Sequence, residues 1–163
     1  MVAAGLILGI DPGLAATGFA LLADGGDLVT SGTVRTSPGP AGERLLNIAR
    51  ELDEILSRFS IREAALEELF MGRNRTSVIG VAQARGVVLL TLTRASIPVF
   101  EYKPAQVKSS LTGYGMASKA QLGRMLGLQL RGIESGMDDH ATDAVAIAVC
   151  HARSRRLRLL AAR

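Results

Sequence analysis

Short apolar runs broken by turn residues occupy the first part of the chain, and helical spacing takes over in the remainder. Leu6–Ile10 is an apolar run ended at once by Asp11 and Pro12, which predicts a buried strand. Thr17–Leu22 predicts a second strand, with Asp24-Gly25-Gly26-Asp27 as the hairpin turn that follows it. Leu28–Arg35 predicts a third. Ser37-Pro38-Gly39-Pro40 reads as a loop, because proline cannot donate to a sheet ladder.

Leu45, Ile48, Ala49, Leu52, Ile55, Leu56 and Phe59 then recur at helical spacing, with charged residues on the opposite face. Ala64–Leu69 predicts a fourth strand. Asn74–Arg94 predicts a helix that packs closely at Gly80 and Gly86, and Pro98–Tyr102 a short fifth strand. Pro104–Leu111 and Ser118–Leu130 predict two helices around Gly113-Tyr114-Gly115, and Asp138–His151 a last one. A three-strand antiparallel meander followed by alternating helices and strands implies an α/β fold: a five-stranded mixed sheet flanked by helices. With no repeat, low-complexity stretch or linker, residues 1–163 read as one domain, ending in a basic tail over about 153–163.

Composition sharpens this picture. The 163 residues are 48% hydrophobic, enough for one core. The net charge of +4 and a sequence pI near 9.8 suit a polyanionic partner. The single cysteine, Cys150, excludes a disulfide framework, fits a reducing cytosol, and reads as a small buried hydrophobe. The first apolar run lacks a charged leader and is broken by Asp11, so no signal peptide is expected. Val78–Leu92, the longest apolar stretch, is interrupted by Gln83 and Arg85 and is not expected to span a membrane. A cytoplasmic protein without membrane contact is expected.

The chemistry lies in three acidic clusters: Gly9-Ile10-Asp11-Pro12-Gly13, Leu66-Glu67-Glu68-Leu69-Phe70-Met71 and Asp138-Asp139-His140-Ala141-Thr142-Asp143. Each stands where an apolar run meets a turn or a helix start. Singly they have plain readings. Asp11 suits a turn, Glu67 and Glu68 a solvated strand end, and Asp138 or Asp139 a helix N-cap. Brought together, they repel one another and call for a divalent cation. In a basic chain that combination points to phosphate chemistry. Strand carboxyl ends are where open sheets with helical crossovers build sites. Asp139 rivals His140 as a ligand, and Glu68 rivals Glu67 until the strand pleat turns it to the other face.

These motifs resemble those of the RuvC family, bacterial Holliday-junction endonucleases. Gly9-Ile10-Asp11-Pro12-Gly13 with Thr17-Gly18 is similar to the family's opening, and Leu66–Met71 to its second motif. Gln83-Ala84-Arg85-Gly86, Pro98–Tyr102 with Gln106-Val107-Lys108, and Asp143–Ala148 resemble the later segments in order. The resemblance spans nearly the whole chain. It implies an RNase H-like fold and an endodeoxyribonuclease that resolves four-way DNA junctions by paired symmetric nicks in recombination and repair, leaving 5′-phosphate and 3′-hydroxyl ends.

The resemblance also implies a metal site of Asp11, Glu67, His140 and Asp143 for two Mg²⁺ or Mn²⁺ ions. In-line hydrolysis would follow, with Asp11 bridging the ions. Many relatives carry a carboxylate where this chain has His140. Imidazole suits Mn²⁺ better than Mg²⁺, so a Mn²⁺ preference is expected. Lys119 matches a lysine near the family's site that stabilises transition-state charge, and Lys108 matches a second. Either also reads as an ordinary exposed helix lysine. Phe70 is expected to stack on an unpaired junction base, or to pack as an ordinary core aromatic. Arg73 and Arg75 are expected to hold phosphates. Arg153, Arg155, Arg156, Arg158 and Arg163 read as a frayed cationic helix end rather than a specific DNA contact.

A homodimer matching the junction's two-fold symmetry is implied, with helix Asn74–Arg94 as a candidate interface, as are the branch-migration partners RuvA and RuvB. Three other readings stay open. An actin- or sugar-kinase-type ATPase shares the Asp-x-Gly strand end, but it needs a second domain and phosphate loop that this chain lacks. A nuclease of the same fold acting on RNA or other branched DNA is another. A non-catalytic junction-binding protein is the third, and it sits poorly with four retained ligand-type residues.

Overall fold

The computed structural model describes residues 5–69, 75–133 and 136–162, with residues 75–77 described by their backbone alone. β1 (Leu6–Asp11), β2 (Ala16–Leu22) and β3 (Leu28–Arg35) form the antiparallel meander, turned at Gly26, whose φ is 90°. β4 (Ile61–Glu67) and β5 (Val99–Tyr102) add in parallel on the other side of β1. The order β3-β2-β1-β4-β5 makes β1 the central strand. Its burial on both faces explains why Leu6–Ile10 is a continuous apolar run.

The strand pleat divides the core. Leu8, Ile10, Leu21, Ala64 and Leu66 face α1 (Ala41–Arg58) and α2 (Arg75–Arg94), which bury Ile48, Leu52, Ala84, Val88 and Leu92 against them. Ile7, Ala20, Leu22 and Ala65 face the other side, under α5 (Asp139–Ala161), with α3 (Pro104–Thr112) and α4 (Lys119–Gln129) over it. Helix α5 is sandwiched between sheet and helices, so Ala144 through His151 are buried on every side.

Three boundaries differ from the sequence reading. β4 begins at Ile61 rather than Ala64, because Ile61 and Glu63 already pair with Leu6 and Ile7 of β1. It stops at Glu67, where the Glu68 N–H closes the ladder onto the Tyr102 carbonyl. Helix α5 does not fray after His151. It runs on to Ala161 because its arginines have partners: Arg153 donates to Gln129 and the Ser110 carbonyl, and Arg155 reaches Glu63 (3.3 Å) and Asp24 (3.6 Å). Arg158 lies over the Phe100 ring at 4.9 Å. Among the described residues, no helix is long and apolar enough to cross a membrane.

Candidate active site

Asp11 and Glu67 end neighbouring parallel strands, one step past the pairing of Ile10 with Leu66. By the period of two they share the face of Ile7, Gly9 and Ala65, the face that α5 covers. The close approach of α5 depends on two glycines. A Cβ on Gly9 would collide with the Ala144 carbonyl, and one on Gly18, opposite Asp11 across the β1–β2 ladder, with the His140 carbonyl. The first turns of α5 therefore settle directly beside the strand ends.

Asp138 fixes the start of that helix. Its carboxylate accepts from the Ala141 N–H (2.9 Å), from Thr33 Oγ1 (2.7 Å) and from Arg35 (2.9 Å), tying the helix to β3. The same bonds lower its pKa, the backbone bond first. Of the two N-cap readings, Asp138 is the cap. Asp139 turns outward, its side chain 84% exposed and 3.7 Å from Lys119. Asp143, one turn on, faces inward. His140 Nδ1 lies 2.9 Å from Asp11 Oδ2.

Asp11, Glu67 and Asp143 line one open pocket of about 240 Å³ with Lys108, Lys119, Pro104 and the apolar Val107, Leu122, Ala146 and Ile147. Glu68 is not in that lining. Lys119 Nζ donates to Asp143 Oδ2 at 3.0 Å, which raises the lysine pKa. Burial raises the pKa of Asp11, partly offset by the His140 hydrogen bond. Burial, then repulsion from Asp11 and Asp143, pushes Glu67 up to about 7. Burial and mutual repulsion thus both oppose ionisation of Asp11 and Glu67.

This donor set fits a hard divalent cation in its chemistry: three carboxylates, an imidazole and an apolar floor. Among the described residues, no three Asp, Glu, His or Cys side chains stand in the arrangement a single ion requires. His140 holds Asp11 and Lys119 holds Asp143 instead, so a metal bound at Asp143 would displace Lys119. With Asp11 ionised, Nδ1–H of His140 donates to it and Nε2 remains as a ligating atom.

The structure therefore brings together Asp11, Glu67, His140, Asp143, Lys108 and Lys119 from five segments of the chain. Phe70 and Arg73 lie outside the described residues, as does the Arg75 side chain. Two contacts escaped the sequence reading. Arg85 of α2 donates to the Glu67 carbonyl at 2.8 Å and pairs with Glu101 at 2.6 Å. Fully buried His151 joins Tyr102 Oη (2.7 Å) to Glu63 (2.6 Å). A signal for each existed: a lone charge within the apolar stretch of α2, and a lone histidine within the apolar stretch of α5.

Comparisons with known proteins agree with this geometry. Residues 7–151 match the family model for crossover junction endodeoxyribonuclease RuvC. The RuvC of Thermotoga petrophila is 45% identical over 156 residues, spanning 93% of this chain and 94% of the relative. That of a Roseiflexus species is 46% identical over 148 residues, 88% of each. The structure of T. thermophilus RuvC in complex with Holliday junction substrate superposes with a TM-score of 0.86 at 34% identity, over 94% of this chain and 96% of that one. The yeast mitochondrial resolvase Ydc2, 12% identical with a TM-score of 0.66 over 92% of this chain and 78% of its own, shares the fold alone. The fold is RNase H-like, and the chain belongs to the RuvC family of crossover junction endodeoxyribonucleases.

Proposed function

We propose that this protein resolves four-way DNA junctions by paired, metal-dependent nicks on opposed strands, acting in the cytoplasm in recombination and repair. The observation that carries the reading is the convergence of Asp11, Glu67 and Asp143 on one pocket rimmed by Lys108 and Lys119. A pocket of that charge pattern suits a phosphodiester only when cations sit between the carboxylates and the phosphate.

Asp11, Glu67, His140 and Asp143 are the residues that would hold two Mg²⁺ or Mn²⁺ ions. Those ions would supply activation of water and stabilisation of the leaving 3′ oxygen. The rest is done by the chain. The carboxylates present a preorganised cluster, and Glu67 gives up its proton as metal enters. Lys119, freed from Asp143, is placed to meet charge developing on the phosphate, and Lys108 to hold the phosphate from the other wall. Phe70 stacking on an unpaired base, with Arg73 and Arg75 on nearby phosphates, completes the proposed DNA contact.

The proposed active form is a homodimer. The face of α2 turned away from the core carries Ile79 and Leu90, 61% and 60% exposed, with Gly86 open between them at coiled-coil spacing. Two copies paired there by a two-fold axis would match the symmetry of the junction. RuvA and RuvB are the partners this role implies.

The test is nicking of a synthetic four-way junction against matched linear duplex in Mg²⁺ and in Mn²⁺. Symmetric paired nicks confined to the junction, lost in Asp11→Asn, are expected. Binding without nicking in either metal would leave a structure-specific DNA-binding protein.

A further inference from the structure

Helix α2 packs on the sheet face opposite the site, yet one of its side chains reaches around to it. Arg85 lies between the buried Ala84 and the face that carries Val88, its own side chain only 12% exposed. One guanidinium nitrogen donates to the main-chain carbonyl of Glu67 at 2.8 Å, and the other pairs with Glu101 Oε1 at 2.6 Å. Glu67 is the last residue of β4, and Glu101 stands on β5 next to it in the sheet.

The partner of that carbonyl matters because of where the ladder ends. The Glu68 N–H still bonds β5, but β1 has no strand residue left beyond Asp11 to extend the pairing. The peptide after Glu67 is thus held by β5 on its N–H side and by Arg85 on its carbonyl side. A buried or half-buried carbonyl left without a donor would be costly, and rotation of that peptide would swing the Cα–Cβ bond of Glu67. A guanidinium suits the task because its planar fork donates in two fixed directions at once.

We propose that Arg85 is a positioning residue: it sets the peptide plane at the end of β4, and so aims the Glu67 carboxylate into the pocket. This rests on the reading of Glu67 as a metal ligand. The role is distinct from that of Lys108 and Lys119, since Arg85 does not line the pocket and contacts Glu67 only through its main chain. It also ties the seating of α2 to the geometry of a residue on the far side of the sheet.

The experiment is calorimetric titration of Mn²⁺ into Arg85→Met, Arg85→Lys, Glu101→Gln and Glu67→Gln proteins. It is paired with junction binding in the absence of metal, single-turnover nicking and thermal melts. Loss of groups that orient a ligand weakens metal binding about 10-fold or more. Arg85→Met is expected to show that loss with a lower nicking rate, unchanged metal-free junction affinity and a folded melt. Arg85→Lys, which keeps one donor, should fall between it and wild type. If Arg85→Met does not fold, Glu101→Gln carries the test: the Glu101 side chain is 43% exposed and the amide keeps an acceptor for Arg85, so the fold is expected to persist with a weaker Mn²⁺ affinity. Wild-type Mn²⁺ affinity in the folded Arg85 or Glu101 variants, beside a defective Glu67→Gln, would overturn the proposal alone. Wild-type Mn²⁺ affinity in Glu67→Gln would overturn the reading of the site on which it rests.

Discussion

His140 Nδ1 lies 2.9 Å from Asp11 Oδ2, joining the first turn of the last helix to the end of the central strand. The contact leaves Nε2 as the only imidazole atom free to ligate. A site built with one nitrogen donor should favour Mn²⁺ over Mg²⁺ more than an all-oxygen site. His140→Asp is expected to lower the ratio of the Mn²⁺ to the Mg²⁺ nicking rate. An unchanged ratio would show that His140 serves the site only by holding Asp11.

Glu67, pushed up to about 7 by burial and its carboxylate neighbours, carries a proton in the metal-free protein at mildly acid pH. Metal must displace that proton. Apparent Mn²⁺ affinity should therefore rise about tenfold per pH unit below 7 and level off above it, if one proton is released per site filled. Titrations in buffers of different ionisation enthalpy count the proton directly. The sign for folding is the opposite. A carboxyl whose pKa is higher in the fold than in the unfolded chain stabilises the metal-free protein fully below pH 4.5, and that contribution fades as pH climbs to 7.

Gly18 faces the His140 carbonyl, so a methyl there meets backbone, which cannot swing aside. Gly18→Ala should push the start of α5 away from Asp11. We expect a loss of about 1–3 kcal/mol of stability, read by denaturant unfolding, with a larger fall in nicking than in junction binding. Wild-type nicking in Gly18→Ala would mean that the approach of α5 is not limiting.

The buried chain Glu63–His151–Tyr102 has a definite polarity. Burial favours the neutral imidazole, and in that form Nε2–H donates to the Glu63 carboxylate while Nδ1 accepts from the Tyr102 hydroxyl. Burial pulls the His151 pKa down, against the pull of Glu63 upward. A base harder to protonate in the fold stabilises it above the unfolded value of 6.5, and that stability is lost as pH falls below it. Glu67 works in the reverse sense over the same range. The difference between wild type and His151→Leu in urea midpoints, from pH 7.5 to 5.5, isolates the histidine and should shrink toward acid. Tyr102→Phe, which strips Nδ1 of its donor, should cost about 1–3 kcal/mol.

The outer stripe of α2 offers a direct test of assembly. Leu90 is 60% exposed, so Leu90→Glu should leave the monomer folded, and the melt should lose any dependence on protein concentration. Sedimentation should shift toward the monomer, and nicks should become unpaired. A wild-type sedimentation profile would place the dimer contact elsewhere.

The RuvC-like motifs and the alternation of apolar and polar residues were enough to predict the meander, the mixed sheet and each helix, because periodicity records which face of an element is buried. Acidic residues at the ends of apolar runs stand out against their surroundings, and the RuvC resemblance is what singled out Asp11, Glu67, His140 and Asp143 among them. Choosing among neighbours needed tertiary structure. Asp138 caps the helix and Asp139 points to solvent only because α5 is tied at that point to Thr33 and Arg35, residues more than a hundred positions away. The last arginines looked like a loose tail because Asp24 and Glu63, the acids that Arg155 meets, also lie far back along the chain. Arg85 behind Glu67, and His151 between Glu63 and Tyr102, follow the same rule. A periodic pattern tells a chain which side is inside, and only the packed sheet decides which distant group waits there.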